Sequence, residues 1–162
     1  MSGTVALEPG TAVWMKGPLR YRCQAEPCEV LEVVAVTVRA AAGANDETPA
    51  LCVATLDACQ PERTGDREFR VLLSAGLTVT QFAGLIPPGR APSHHHTYDE
   101  VVHVLAGRGT VHLSDTAAEI GPGTSIYLPP YQPHCLENTG AEPLQVLGVF
   151  YPAGSPAAKQ AT

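Results

Sequence analysis

Apolar residues in this chain come in short runs broken by Pro, Gly or charge, and no stretch keeps the spacing that a long amphipathic helix needs. Runs rich in β-branched and aliphatic residues, bounded by turn formers, read as strands. The strongest covers residues 30–38 and contains Val30, Val33, Val34, Val36 and Val38. Others are predicted at 51–56, 69–73, 77–86, 101–105, 110–113, 118–120, 126–128, 135–138 and 144–150. A polar Gly/Ala-rich loop spans 40–49 and a charged connector spans 60–68; the tail from 152 has few large apolar residues and is expected to be mobile. Fifteen prolines and fifteen glycines are spread along the chain rather than pooled, which cuts it into short strands and predicts an all-β sandwich or barrel.

A chain of 162 residues buries one core or a little more. The net charge of −6 and the lack of any basic run argue against nucleic acid or an anionic membrane as partner. No apolar stretch is long enough to span a bilayer, and the N-terminus lacks the basic-then-apolar order of a secretion signal. The five cysteines (Cys23, Cys28, Cys52, Cys59, Cys135) are odd in number and at no zinc-finger spacing, so a reduced, cytoplasmic protein is the expectation.

Chemistry concentrates in Gly89-Arg-Ala-Pro-Ser-His94-His95-His96-Thr-Tyr-Asp-Glu100, followed by an aliphatic run that stops at Gly107. His94, His96 and Glu100 lie at even spacings, which on one extended strand would put all three side chains on the same face. Two imidazoles and a carboxylate offer the mixed nitrogen and oxygen donors that suit Fe, Mn, Ni, Co or Zn. A second stretch, Gly121-Pro-Gly123-Thr-Ser-Ile126-Tyr127-Leu128-Pro129-Pro130-Tyr131-Gln-Pro-His134-Cys-Leu-Glu-Asn138, reads as turn, strand, Pro-rich bend and a further histidine opening the next strand.

Together the two stretches resemble the paired motifs of the cupin superfamily, G-x5-H-x-H-x3-E-x6-G and G-x5-P-x-G-x2-H-x3-N. Gly123, Pro129, His134 and Asn138 fall at the second motif's spacing, while Gly89 stands one residue closer to His94 than the pattern and Tyr131 replaces the inner glycine. The resemblance covers residues 70–151. It implies a cupin-type double-stranded β-helix (a jelly roll) with extra N-terminal strands. It also implies one divalent metal per chain on His94, His96, Glu100 and His134, Fe or Mn first, Zn or Ni as alternatives. His95 has the wrong parity to join them, His103 and His112 lack partners at motif spacing, and Cys135, next to His134, is expected to pack on the opposite face.

Landmarks repeat within the chain. Glu8-Pro9-Gly10-Thr11-Ala-Val-Trp-Met has the shape of Gly121-Pro122-Gly123-Thr124-Ser-Ile-Tyr-Leu, and Glu26-Pro27-Cys-Glu-Val30-Leu31-Glu-Val33 that of Glu142-Pro143-Leu-Gln-Val146-Leu147-Gly-Val149. The offset grows from 113 to 116 residues, and where the second copy carries His134 the first has Leu19, Arg20 and Tyr21. The expected organisation is therefore a partial, degenerate, metal-less repeat over 1–49, a metal-binding domain over 50–151 and a mobile tail over 152–162. The first segment is expected to add strands to this domain or to a second subunit's, burying Val30, Val33, Val34, Val36 and Val38 and setting Trp14 against a sheet or subunit boundary. A homodimer is the expected assembly.

If Glu100 and His134 face inward, so do Val102, Val104, Leu136 and Asn138, and an apolar pocket suits a small organic substrate. Tyr98 and Arg90 are candidates to orient a hydroxyl or carboxylate at its mouth. The family resemblance implies a metal-dependent enzyme on a small oxygenated compound, with a dioxygenase first. The alternatives are a redox-neutral isomerase or cyclase, and a binding protein without catalysis, because one fold hosts many reactions.

Overall fold

The computed structural model describes residues 4–17, 19–39, 49–74, 78–158 and 160–161, the last two by backbone alone. Regular structure among them is all strand, apart from a single 3-10 turn at Leu56–Ala58. The strands are β1 (Thr11–Met15), β2 (Leu51–Thr55), β3 (Glu62–Thr64), β4 (Arg67–Leu73), β5 (Thr80–Ile86), β6 (Gly89–Arg90) and β7 (His94–His95). They continue with β8 (Asp99–Ala106), β9 (Gly109–Leu113), β10 (Ala117–Ile120), β11 (Ser125–Leu128), β12 (His134–Asn138), β13 (Leu144–Tyr151) and β14 (Gln160–Ala161).

One six-stranded sheet runs β11-β8-β13-β5-β4-β3; the other runs β10-β9-β12-β7-β14, with β6 also paired to β12. All these pairings are antiparallel. The core lies between the sheets: Ile86, Val102, Val104, Leu128, Leu144 and Val146 from the first meet Val111, Ile120 and Leu136 from the second. Alternation makes this possible, since β8 buries Glu100, Val102 and Val104 and turns the residues between them outward. Each aliphatic side chain so buried contributes roughly 1.5–3 kcal/mol relative to exposure. A second cluster, Phe69, Phe82 and Phe150, packs beside it with Val71 and Tyr98. The all-β jelly-roll expectation therefore holds.

Two stretches differ from the sequence reading. The charged connector is a hairpin, β3 with β4, whose strands carry an Arg63–Glu68 ion pair at 3.2 Å. Residues 30–38 form no strand, and Val30 and Val33 are 95% and 59% exposed on the single chain. β-Propensity makes a ladder only where an edge is there to pair with, and this stretch meets none among the described residues. Trp14 does lie in a sheet: β1 pairs with β2, and its indole N–H donates to the Pro49 carbonyl at 3.1 Å.

Part of the tail touches the domain. The Tyr98 hydroxyl donates to the Ser155 carbonyl at 3.1 Å, the Thr80 hydroxyl donates to the Gly154 carbonyl at 2.8 Å, and the β14 backbone pairs with β7. The loop read over 40–49 falls outside the described residues except for Pro49, as does Leu77 of the strand read over 77–86. The repeat's first landmark folds the same way twice. In each copy the Thr backbone N–H donates to the carbonyl three residues back, at 2.9 Å for both Glu8 and Gly121. The Thr11 and Thr124 hydroxyls accept from the N–H of Glu8 and Gly121, and Gly10 and Gly123 have φ of 84° and 86°. The second landmark does not fold alike: the described residues 30–39 hold no strand, whereas its counterpart runs into β13.

Candidate metal centre

The sequence sends two histidines into one sheet and the carboxylate into the other. His94 is on β7 and His134 on β12, paired directly across the ladder, whereas Glu100 is on β8 of the facing sheet. His96 lies between them, where the chain crosses over. Parity along one extended strand therefore does not explain their convergence, because residues 96–98 break the strand. The crossover folds the carboxylate back over the imidazoles.

Ring nitrogens of His94, His96 and His134 lie within 4.8 Å of one another, the arrangement of a metal-binding triad. Glu100 Oε2 is 3.4 Å from His96 Nε2 and 3.3 Å from His134 Nε2. Those distances are long for charge-assisted hydrogen bonds, and Oε2 is buried without a hydrogen-bond partner. A buried carboxylate oxygen so placed is stabilised by a cation, either a protonated His134 or a bound metal ion. His134 Nδ1 donates to the Gln132 carbonyl at 2.9 Å and His94 Nδ1 to the Pro92 carbonyl at 3.4 Å, which leaves each Nε2 lone pair free toward the centre. The His96 ring stacks on Tyr98 and packs against Phe150, with centroids 4.9 and 5.1 Å away. A divalent ion fits this donor set.

Burial, then the neighbouring imidazoles, push His94 down to about 4, and burial likewise lowers His96. Burial also acts to lower His134, but Glu100 and the Gln132 carbonyl outweigh it and the net shift is upward. Two of the three rings are thus held in the neutral form that a metal ligand requires. In the metal-free protein the unfolded chain takes up protons below about 6.5 that folded His94 and His96 resist, and only His134 opposes this. Metal-free stability is therefore expected to fall as pH drops from about 6.5 to 4. Urea unfolding with a chelator present measures it, and a flat or rising midpoint over that window contradicts the assignment.

The histidines enclose one end of a cavity of about 80 Å³ walled by Phe69, Phe82, Val102, Leu136 and Phe150 and edged by Pro156 of the tail. Val102 and Leu136 thus face inward as expected, and Val104 is fully buried. Asn138 is buried too, but as a brace, donating to the Ile86 and Glu142 carbonyls and accepting from Gly140 N–H. His95 turns to Tyr131, His112 pairs with Glu137 at 2.7 Å and His103 with Ser125 at 2.8 Å, so none of the three joins the centre. Tyr131 takes the glycine-like conformation its motif position calls for, φ 65°, and its N–H donates to the His96 carbonyl at 2.7 Å, so the turn survives the replacement.

Of the two candidates at the mouth, Tyr98 touches the site through His96, while Arg90 is corrected. Arg90 sits on β6 across from Glu137, is exposed, and donates to Cys135 Sγ at 3.4 Å away from the cavity. The arginine that does line the cavity is Arg67, at the start of β4. The sequence reading left it in a connector. Had the strand been started two residues earlier, parity with buried Phe69 would have shown that Arg67 shares its face.

Comparison with known proteins agrees with this geometry. Residues 82–150 match the family model of the cupin domain. An uncharacterized protein of Methanocaldococcus jannaschii is 41% identical over 58 residues, 36% of this chain and 46% of that protein. A glucose-6-phosphate isomerase of Thermococcus kodakarensis is 39% identical over 103 residues, 58% of this chain and 51% of that enzyme. The crystal structure of a predicted oxalate decarboxylase from Thermotoga maritima superposes with a TM-score of 0.55 at 25% identity, covering 60% of this chain and 96% of that one. The chain thus spans about half the length of these curated relatives. By its motifs, its fold and this match, the chain carries a cupin domain over residues 82–150.

Proposed function

We propose that this chain is a metal-dependent enzyme acting on a small oxygenated organic compound, with one divalent ion held by His94, His96, Glu100 and His134. The observation that carries this reading is the cluster of three ring nitrogens, two of them beside a buried carboxylate oxygen of Glu100, in the lining of a largely apolar cavity. A bound ion, iron or manganese first and zinc or nickel as alternatives, supplies Lewis-acid or redox chemistry at the positions the protein leaves open. The chain's own part is to keep the His94 and His96 imidazoles neutral, to fix the His94 and His134 rings through the Pro92 and Gln132 carbonyls, and to wall the cavity with the Phe69, Phe82 and Phe150 rings.

Within that class a dioxygenase-type cleavage stands first, since a dry cavity with open positions accommodates a substrate beside dioxygen. Oxygen uptake by Fe(II)-reconstituted protein, tested on catechols, flavonols and enols, decides it; no uptake with any of them removes this reading. The likeness to a glucose-6-phosphate isomerase supports a redox-neutral second reading. Interconversion of glucose 6-phosphate and fructose 6-phosphate by Mn-, Zn- or Ni-loaded protein without oxygen would establish it. Ligand binding without turnover of any of these compounds would leave a binding protein.

Two further parts belong to the proposal. The reduced, cytoplasmic setting agrees with five free thiols, three of them wholly or partly buried. Residues 19–38 expose Leu19, Tyr21, Val30, Leu31, Val33 and Val36 on the single chain, which supports a dimer built through this segment. Light scattering on the full chain is expected to give the mass of two copies at micromolar concentration, and a monomer there overturns the assembly.

A further inference from the structure

We infer that Arg67 anchors a carboxylate of the molecule that enters the cavity, so that the substrate is a small carboxylic acid whose remaining oxygens face the histidines. This rests on the metal-centre reading above and narrows it. Arg67 lines the same cavity as His94, His96, Glu100 and His134. Its Nη2 is buried and has no hydrogen-bond partner. A guanidinium cannot escape the cost of burial by losing its proton, so a buried N–H left unpaired calls for an acceptor that arrives with a ligand.

Among the described residues none supplies such an acceptor to Nη2. Asp66 and Glu100 attract Arg67 electrostatically, yet neither forms an ion pair with it among the described residues, and Glu100 Oε2 is turned to His96 and His134. Phe69, Phe82 and Phe150 accept no strong hydrogen bond, and of the acceptors that also line the cavity Glu68 is paired with Arg63 while Thr64, across the hairpin, makes no bond to Arg67 Nη2. Charge points the same way: a divalent ion, two carboxylates (Glu68 and Glu100) and one guanidinium still leave the cavity net positive, so an anion gains by entering. The planar fork of arginine matches a carboxylate in two parallel bonds, and a cavity of about 80 Å³ favours the smaller carboxylate over a phosphate ester.

The test compares metal-loaded wild type with Arg67→Gln and Arg67→Lys by titration calorimetry. The probes are glycolate, lactate and pyruvate, their neutral amides, and inorganic phosphate. At least one acid is expected to bind wild type roughly tenfold or more tightly than its amide, the scale of a hydrogen bond to a charged group. Arg67→Gln is expected to bring that ratio near one with metal content unchanged, and Arg67→Lys to restore part of it, because the charge returns without the fork. If no acid is preferred over its amide in wild type, or the preference survives in Arg67→Gln, the inference is wrong. Arg67-dependent binding of phosphate tighter than every acid overturns the carboxylate class. Should Arg67→Gln lose its metal or its fold, Arg67→Lys carries the decision, and an undiminished acid preference there refutes the bidentate anchor. An Arg67-dependent acid preference in protein that binds no metal would sink the metal centre and leave this inference standing; metal binding without that preference would do the reverse.

Discussion

His134→Ala is expected to strip the protein of its divalent ion, and His96→Ala to do the same. Both rings belong to the triad whose nitrogens lie within 4.8 Å, and both Nε2 atoms flank Glu100 Oε2. With one donor gone the remaining groups cannot complete the coordination shell. Losing only an outer hydrogen-bond partner of a metal ligand already costs roughly 10–100-fold in affinity, so losing the ligand itself should cost more. Elemental analysis after dialysis reads the effect, and full occupancy in either variant overturns the site. The fold should survive, because the core between the sheets is aliphatic and complete without an ion. A chelator should therefore abolish activity while the far-UV spectrum stays as it was; collapse of the spectrum along with the metal would mark a structural ion instead.

Gly109→Ala is expected to destabilise the fold by about 3 kcal/mol, the upper part of the range for overpacking a core. A Cβ at this position would run into the Glu137 carbonyl and would also lie 3.2 Å from Leu144 Cδ2. Glu137 is on β12, held in register against β9, so the obstacle is backbone on both sides and cannot swing away as a side chain would. Strand β12 also carries His134, and pushing it from β9 shifts a proposed metal ligand. The variant should thus show a lowered urea midpoint together with weakened metal retention. A midpoint within about 0.5 kcal/mol of wild type, the usual effect of a surface change, would mean that the two strands can part there at little cost.

Much of this was legible in the chain because it is local. Alternation on β8 and β12 announced which of Glu100, Val102, Val104, His134 and Leu136 point inward, since successive side chains of a strand must take opposite faces. The paired glycine turns at Gly10 and Gly123 were readable for the same reason: a positive φ followed by a capping threonine is a short-range requirement. Motif spacing named the triad and Glu100 without any knowledge of where the strands would go.

Tertiary structure alone decided the rest. That Glu100 reaches the histidines from the opposite sheet depends on the crossover at residues 96–98, which no periodicity records. Valine content over 30–38 reads as a strand, but a strand exists only where another edge accepts its hydrogen bonds, and edges are allotted by the whole fold. Arg67 and Arg90 are the sharpest case. Both are arginines beside a turn, and only the pairing of β4 with β5 and of β6 with β12 turns one into the cavity and the other onto Cys135. Side-chain direction on a strand follows from local geometry, but which side is the inside is fixed by what packs against it.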